Sequence, residues 1–367
     1  MTDYQDRNYL STIEVATHLG VKVKKVIELI RYGLLPATKS AGGQYRVSLD
    51  NVKVLEHDIK YKIVKNDNDI LNSFKLSIEK GNGLSIKELH YNINNTVQKV
   101  FLANSQSMNQ LENNSVHLVI TSPPYFDAKM YSNEAIVNDL GNIHDMDDWF
   151  NEIGKVWKEV FRVLQPGRKF FLNIMNLPIR IDNSFKSLNL VGKSIDLCDD
   201  IGFVFKRDII WHKTNGVRAH FGTYPYPGGI LINNMHEFIL EFQKPDIKYN
   251  SKYKHLTKEI KENSKIDKDF WLSIKNTDVW LIKPENSGDG RSHIAPFPYD
   301  LPYKLIKAYS YKTETVLDPF CGSGTTLFAA KDIERNGIGY EINPDFVMGI
   351  KNRFESELKC IYSEEKT

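Results

Sequence analysis

The sequence predicts an α/β protein built on an open, mostly parallel sheet with helices on both faces. Three observations predict it. From Val100 onward, short apolar runs alternate with segments whose apolar residues recur at helical spacing. Late in the chain an apolar run meets a Gly-x-Gly turn and then a helical stretch, the local arrangement by which αβ units bind ligands at strand carboxyl ends. The 367 residues, 41% hydrophobic and 26% charged, supply two or three domains with a large core, and exclude a disordered, fibrous or membrane-embedded chain.

The elements follow in order. Ile13, Val15, Ala16 and Leu19 carry a short helical pattern broken by Gly20. Val23, Val26, Ile27 and Ile30 carry a second one, which ends near Gly33 with Pro36 behind it. Gly42-Gly43-Gln44-Tyr45-Arg46-Val47 suits a tight β turn, so residues 1–58 read as one small unit. Residues 59–97, rich in Lys, Asn and Asp, read as a helical connector without visible chemistry. The αβ part, residues 98–357, begins with strands at 100–102 and 116–120. Phe150, Ile153, Trp157, Val160, Phe161 and Leu164 mark a helix that Gln165-Pro166-Gly167 stops before a strand at 169–174. Further strands are expected over 203–211, 237–242 and 315–317, with helices over 301–309 and from Leu327.

The balance of 48 basic against 46 acidic residues conceals segregation. Between Lys244 and Lys268 eight lysines stand against four acids, interleaved with Tyr249, Tyr253 and His255. A solvated loop and a nucleic-acid contact both suit that composition. Cys198, Cys321 and Cys360 are too scattered for a zinc site and too few for a disulfide framework, so no metal is expected and a reducing, cytoplasmic setting is. The first residues lack an apolar signal core, and no run approaches the roughly 18 apolar residues of a membrane span.

Two motifs carry chemistry. In the first, the run 315–317 leads through Asp318-Pro319-Phe320-Cys321-Gly322-Ser323-Gly324-Thr325-Thr326 into a helix. A dinucleotide site would need a third glycine where Leu327 stands, and no Gly-Lys-Ser/Thr is present to cradle phosphate. An acid before the turn suits a cationic ligand. Glu341, ending the next strand, is placed to accept from ribose hydroxyls, so the pair suggests an adenosine-bearing ligand without a pyrophosphate. In the second motif, Thr121-Ser122-Pro123-Pro124-Tyr125 follows the strand at 116–120. Its prolines fix the backbone and remove donors, which sets a hydroxyl, a carbonyl and an aromatic ring at a strand's carboxyl end.

Thr121 to Tyr125, Asp318 to Thr326 and Glu341 resemble the motifs of S-adenosylmethionine-dependent DNA methyltransferases that modify exocyclic amino groups, in the order of their beta class. The resemblance covers residues 98–355 and implies a Rossmann-like methyltransferase fold with permuted motif order. It includes Arg162-Val163-Leu164-Gln165-Pro166-Gly167 and His293-Ile294-Ala295-Pro296-Phe297-Pro298, with Asn104 departing from the Asp common in relatives. Residues 9–58 resemble the winged helix-turn-helix of the MerR and excisionase type.

These resemblances imply that Ser122, Pro123, Pro124 and Tyr125 are catalytic, the first two as acceptors for the target amino group and Tyr125 as a stacking platform for a flipped base. They imply that Asp318, Pro319, Phe320, Gly322, Gly324, Thr325, Glu341, His293 and Pro296 bind the cofactor, S-adenosylmethionine. Thr325 and Thr326 read equally as helix caps. Target recognition is expected over 244–290. Lys24, Lys25, Arg46, Lys252 and Lys254 are candidates for phosphate contacts with double-stranded DNA. Ser at the second motif position implies cytosine N4 as the target, with adenine N6 the alternative. Carbon-5 chemistry is set aside because no cysteine follows a proline. A cognate restriction endonuclease is the expected partner, and the protein is expected to be a monomer or homodimer. RNA or protein-amide methylation and a non-catalytic DNA-binding regulator are the rival classes.

Overall fold

A computed structural model describes residues 9–19, 22–31, 35, 37–39, 44–49, 51–52, 87–93, 96–126, 139–181, 184–214, 232–246, 253–285 and 298–364. The chain divides into two units, 1–87 and 88–367.

In the first unit, strand β1 (Tyr9–Ser11), helices α1 (Thr12–Leu19) and α2 (Val23–Arg31), and strands β2 (Ala37–Lys39) and β3 (Tyr45–Ser48) form a helix pair beside a three-stranded antiparallel sheet of order β1-β3-β2. Ser11 starts α1 with a capping box: the Glu14 amide donates to Ser11 Oγ while the Ser11 amide donates to Glu14 Oε2 at 2.7 Å. Leu10, Val15, Ala16, Val26, Leu35, Val47 and Val52 close one buried core.

The second unit takes all but the first residue of β4 (Lys87–Ile93) and continues with β5 (Thr96–Leu102) and β6 (Val116–Thr121). The parts of the expected helical connector at 87–93 and 96–97 are therefore strand. Their charged and amide residues hid a period of two, in which Leu89 and Tyr91 are half-buried while Glu88, His90 and Asn92 are exposed. Then come α3 (Met146–Val163), β7 (Leu164–Ile174), a hairpin of β8 (Leu177–Ile181) and β9 (Ser184–Leu188), α4 (Leu190–Ile201), β10 (Val204–Lys213) and β11 (His236–Gln243). The lysine-rich region contains short helices α5 (Lys258–Asn263) and α6 (Lys268–Lys275), capped by the Thr257 and Asp267 side chains, and then β12 (Val279–Ile282). Helix α7 (Asp300–Tyr309), β13 (Thr315–Asp318), α8 (Thr325–Asp332), β14 (Asn336–Glu341) and α9 (Pro344–Glu364) complete the order.

The sheet has nine strands in the order β12-β10-β11-β7-β6-β13-β14-β5-β4. From β12 to β5 every strand runs the same way except β11. Strand β6 is buried on both faces, as a central parallel strand requires. Along β7 the alternation sorts side chains between layers. Phe170, Leu172 and Ile174 share one core with Trp149, Ile153 and Trp157 of α3, and Phe171 meets Leu301, Leu305 and Ile306 of α7 on the other face. At about 1.5–3 kcal/mol for each large apolar side chain fully buried, these two layers supply most of the driving force for the fold.

Candidate active site

The carboxyl ends of β6, β13 and β14 lie side by side, because β13 pairs in parallel with both neighbours. The residues that follow them line one cavity. Ser122, Pro123, Pro124 and Tyr125 form one wall, Pro319, Phe320, Cys321, Gly322, Ser323 and Thr325 a second, and Tyr340, Glu341, Ile342, Asn343 and Phe346 a third. Ala103, Asn104, Ser105, Asp139 and Leu140 complete it. Among the described residues that line the cavity there is no Lys, Arg or His, while Asp139 and Glu341 are present, so these residues favour a cation.

The glycine turn is held from β14. The Cys321 amide donates to the Tyr340 carbonyl at 3.0 Å, and the Gly322 and Asn343 amides donate to the two oxygens of Glu341 at 2.8 Å each. Gly339 lets the turn approach, since a Cβ there would meet Cys321 Sγ at 2.7 Å. Gly324 caps α8 at φ 80°, a left-handed conformation that glycine adopts without strain. Burial pushes the Glu341 carboxyl up to about 7 against its two amide bonds, and the Asp139 and Asp318 charges add to the rise. The Cys321 thiol is pushed well above its ordinary value by burial, which suits a packed residue of the turn.

Asp318 and Gly324 were expected at the cofactor but are not among the lining residues. Asp318 is 1% exposed, and its oxygens are committed within the protein: Thr121 Oγ1 and the Phe320 amide donate to Oδ1, and Thr326 Oγ1 donates to Oδ2. Burial raises its carboxyl to about 6 despite these donors. Thr326 thus binds Asp318, and Thr325 lines the cavity.

On the other wall, Asn173 Nδ2 lies 3.5 Å from Ser122 Oγ, and the Tyr125 hydroxyl donates to Glu237 Oε2 at 2.6 Å. Asn173 also donates to that Glu237 oxygen at 2.6 Å. Neither Asn173 nor Glu237 was read from the sequence. The available signal was polar residues in otherwise apolar strands, since Glu237 and Glu241 sit within the run from Phe238 to Phe242 or at its start.

The expected DNA contacts divide. Lys24 on α2 and Arg46 on β3 are exposed, and Lys25 lies on α2. Lys252, His293 and Pro296 lie outside the described residues. Lys254 is exposed, and residues 253–264 pack against the amino ends of the parallel strands, at the end of the sheet away from the cavity. Tyr253 meets the Tyr311 ring, His255 Nε2 lies 2.8 Å from Glu314 just ahead of β13, and the Lys312 amide donates to Ser264 Oγ. The chain leaves the sheet at that end because β11 runs antiparallel to β10 and β7, and the Lys244 ammonium is held there by the carbonyls of Phe161 and Leu164 and by Asn114 Oδ1.

At the same end His117, His255 and Glu314 bring ligand atoms within 4.8 Å of one another. Glu314 already takes the Arg168 guanidinium, and His117 Nδ1 accepts from the Thr315 amide. Burial, Arg168 and His255 lower the His117 pKa to about 3, so the imidazole is neutral. The buried arginine opposes a second cation there. Among the described residues no helix is long and apolar enough to cross a membrane.

Comparison with known proteins agrees with this geometry. The DNA methylase model of the N6/N4 methyltransferase family matches residues 116–352, and a helix-turn-helix domain model matches residues 9–54. Type II methyltransferase M.MthZI of Methanothermobacter thermautotrophicus is 31% identical over 72% of this chain and 78% of its own. Type II methyltransferase M.MjaI of Methanocaldococcus jannaschii is 30% identical over 68% of this chain and 88% of its own. A DNA modification methylase of Thermus thermophilus, described as putative and solved in complex with S-adenosyl-L-methionine, superposes with a TM-score of 0.56 at 30% identity, covering 70% of this chain and 92% of that one. The cytosine-N4-specific PvuII DNA methyltransferase, 19% identical, shares the fold with a TM-score of 0.51 over 72% of this chain and 91% of that one. An acid-lined cavity between a Ser-Pro-Pro-Tyr strand end and a glycine turn, in a chain matched over most of its length by that model, makes this protein a member of the N6/N4 DNA methylase family.

Proposed function

We propose that the protein transfers a methyl group from S-adenosylmethionine to the N4 amino group of a flipped-out cytosine in double-stranded DNA, with adenine N6 as the alternative target. The observation that carries this reading is the cavity itself, which joins two hydrogen-bond acceptors and an aromatic ring on one wall to a cation-favouring turn on the other. S-adenosylmethionine supplies an electrophilic methyl on a sulfonium, and a cavity whose described lining holds Asp139 and Glu341 and no cationic side chain fits that charge. Glu341 would hold the ribose hydroxyls, and Phe320, packed edge-on to Trp157 at 6.1 Å, would flank the adenine.

The chemistry required of the protein is modest. An aromatic amine is a weak nucleophile because its lone pair is delocalised into the ring. Ser122 Oγ and the Pro123 carbonyl accept its two N–H bonds and favour the pyramidal nitrogen, which stabilises the transition state selectively. The methylated amine is acidic and releases its proton afterwards, so no strong base is needed beforehand. Tyr125 holds the flipped base by stacking.

Serine at position 122 supports cytosine. The helix-turn-helix match and exposed Lys24 and Arg46 support a DNA contact by the N-terminal unit. The names of the relatives, Type II methyltransferases, support pairing with a restriction endonuclease of the same recognition site. Incubation with labelled cofactor and duplex DNA, RNA or protein, then digestion of the DNA to nucleosides and mass spectrometry, tests the reading. N4-methylcytosine is expected; N6-methyladenine selects the alternative, and absence of transfer to DNA overturns both.

A further inference from the structure

Resting on that reading, we infer that Glu237 is a positioning residue that sets both halves of the Ser-Pro-Pro-Tyr wall. Its carboxylate is 6% exposed at the start of β11 and is not among the lining residues, so it acts through its neighbours. One oxygen, Oε2, takes the Tyr125 hydroxyl and Asn173 Nδ2, both at 2.6 Å. The other, Oε1, takes the Lys213 ammonium at 2.5 Å from the end of β10. A single carboxylate therefore connects the Tyr125 loop, β7 and β10.

Two consequences follow from donor and acceptor identity. The bond to Glu237 fixes the orientation of the Asn173 amide, because a flipped amide would set its carbonyl against a carboxylate. In that orientation Nδ2 faces Ser122 Oγ at 3.5 Å, and Asn173 Oδ1 is buried without a hydrogen-bond partner among the described residues. The serine thus meets an N–H donor rather than a base, and its oxygen is aligned as an acceptor instead of being deprotonated. The Tyr125 ring is tethered at its hydroxyl end, which limits its tilt against a stacked base. Lys213, 5.1 Å over the Trp211 ring, balances the Glu237 charge.

The test compares the full-length protein with Glu237→Gln, Tyr125→Phe and the double variant. In Glu237→Gln we expect kcat to fall on the order of 100-fold, as for other misplacements of catalytic geometry, with cofactor affinity essentially unchanged and Tm lowered because the Lys213 ammonium loses its counter-charge. The loss should be smaller in the Tyr125→Phe background, because part of it runs through the missing hydroxyl. A readout independent of methyl transfer is the Asn173 side-chain amide in nitrogen-15 spectra, which should shift and lose exchange protection in Glu237→Gln. Wild-type kcat in Glu237→Gln, fully additive losses, or an unmoved Asn173 signal each overturn the inference. An unmodified protein that transfers nothing to DNA instead defeats the functional reading, and the Asn173 signal still decides the geometry.

Discussion

Thr121 Oγ1 donates to Asp318 Oδ1 at 2.6 Å across 197 residues of chain, so the residue before Ser122 is bonded to the acid before the glycine turn. The two walls of the cavity are thereby one hydrogen-bonded unit, completed by Thr326 on the second carboxylate oxygen.

Asp318→Ala is therefore expected to reach beyond cofactor binding. It leaves two buried hydroxyls and an amide without their acceptor, at about 1–3 kcal/mol for each group that finds no other partner. Tm should fall, and cofactor affinity and turnover should fall together, as calorimetry and initial rates will measure. A loss of affinity at unchanged Tm would mean that Asp318 touches the ligand directly.

Glu341 gives cofactor binding a pH dependence. Ribose hydroxyls donate to a carboxylate, and this one ionises only near pH 7 in the free protein, so affinity should rise with pH and flatten above about 7. Its folded-state pKa lies above the unfolded value. Its contribution to stability is therefore fully present below the unfolded pKa and is lost as pH rises through the folded one. Titration calorimetry from about pH 6 to about pH 8, spanning that value, should show tighter binding at the alkaline end, and Glu341→Gln should weaken binding and remove the slope.

Tyr125→Ala should lower turnover more than Tyr125→Phe, because the ring stacks on the base and the hydroxyl only tethers the ring. Base stacking on an aromatic side chain is worth about 1–3 kcal/mol, so the alanine variant should lose roughly tenfold or more in turnover. Cofactor affinity should be unchanged in both. Equal losses of affinity and turnover would defeat the stacking role.

The N-terminal unit offers a separable test. Lys24→Ala with Arg46→Ala should weaken DNA binding evenly across sequences and lower the slope of log affinity against log salt by about 1 for each phosphate no longer neutralised. Cofactor affinity should stay constant. An unchanged salt dependence would remove these two residues from the DNA interface.

The sheet was largely legible because its central strands are buried on both faces and read as apolar runs, β6 most plainly. The glycine turn and the proline pair were legible for a related reason, since backbone conformation there restricts residue choice. Strand β4 was hidden by polar residues at a sheet edge, and α5 and α6 by lysines, although Thr257 and Asp267 were available as cap signals. The Asn173–Glu237–Tyr125 arrangement was beyond reach, because those bonds join residues 64 and 112 positions apart and nothing local demands them. For Asp318 the position in the motif was clear, and only packing revealed where its oxygens point.

Strand β6 is flanked by β7, which follows it closely in the chain, and by β13, which is made some two hundred residues later. During synthesis the Ser-Pro-Pro-Tyr segment therefore emerges long before its other neighbour exists, and the N-terminal unit is finished earlier still. A nascent chain that ends before β14 carries a complete helix-turn-helix but no assembled cavity. Completion waits on parallel, non-local strand pairing, the slowest kind of event in sheet formation. Each new molecule thus completes its helix-turn-helix segment well before the strands that close the reaction centre have been made.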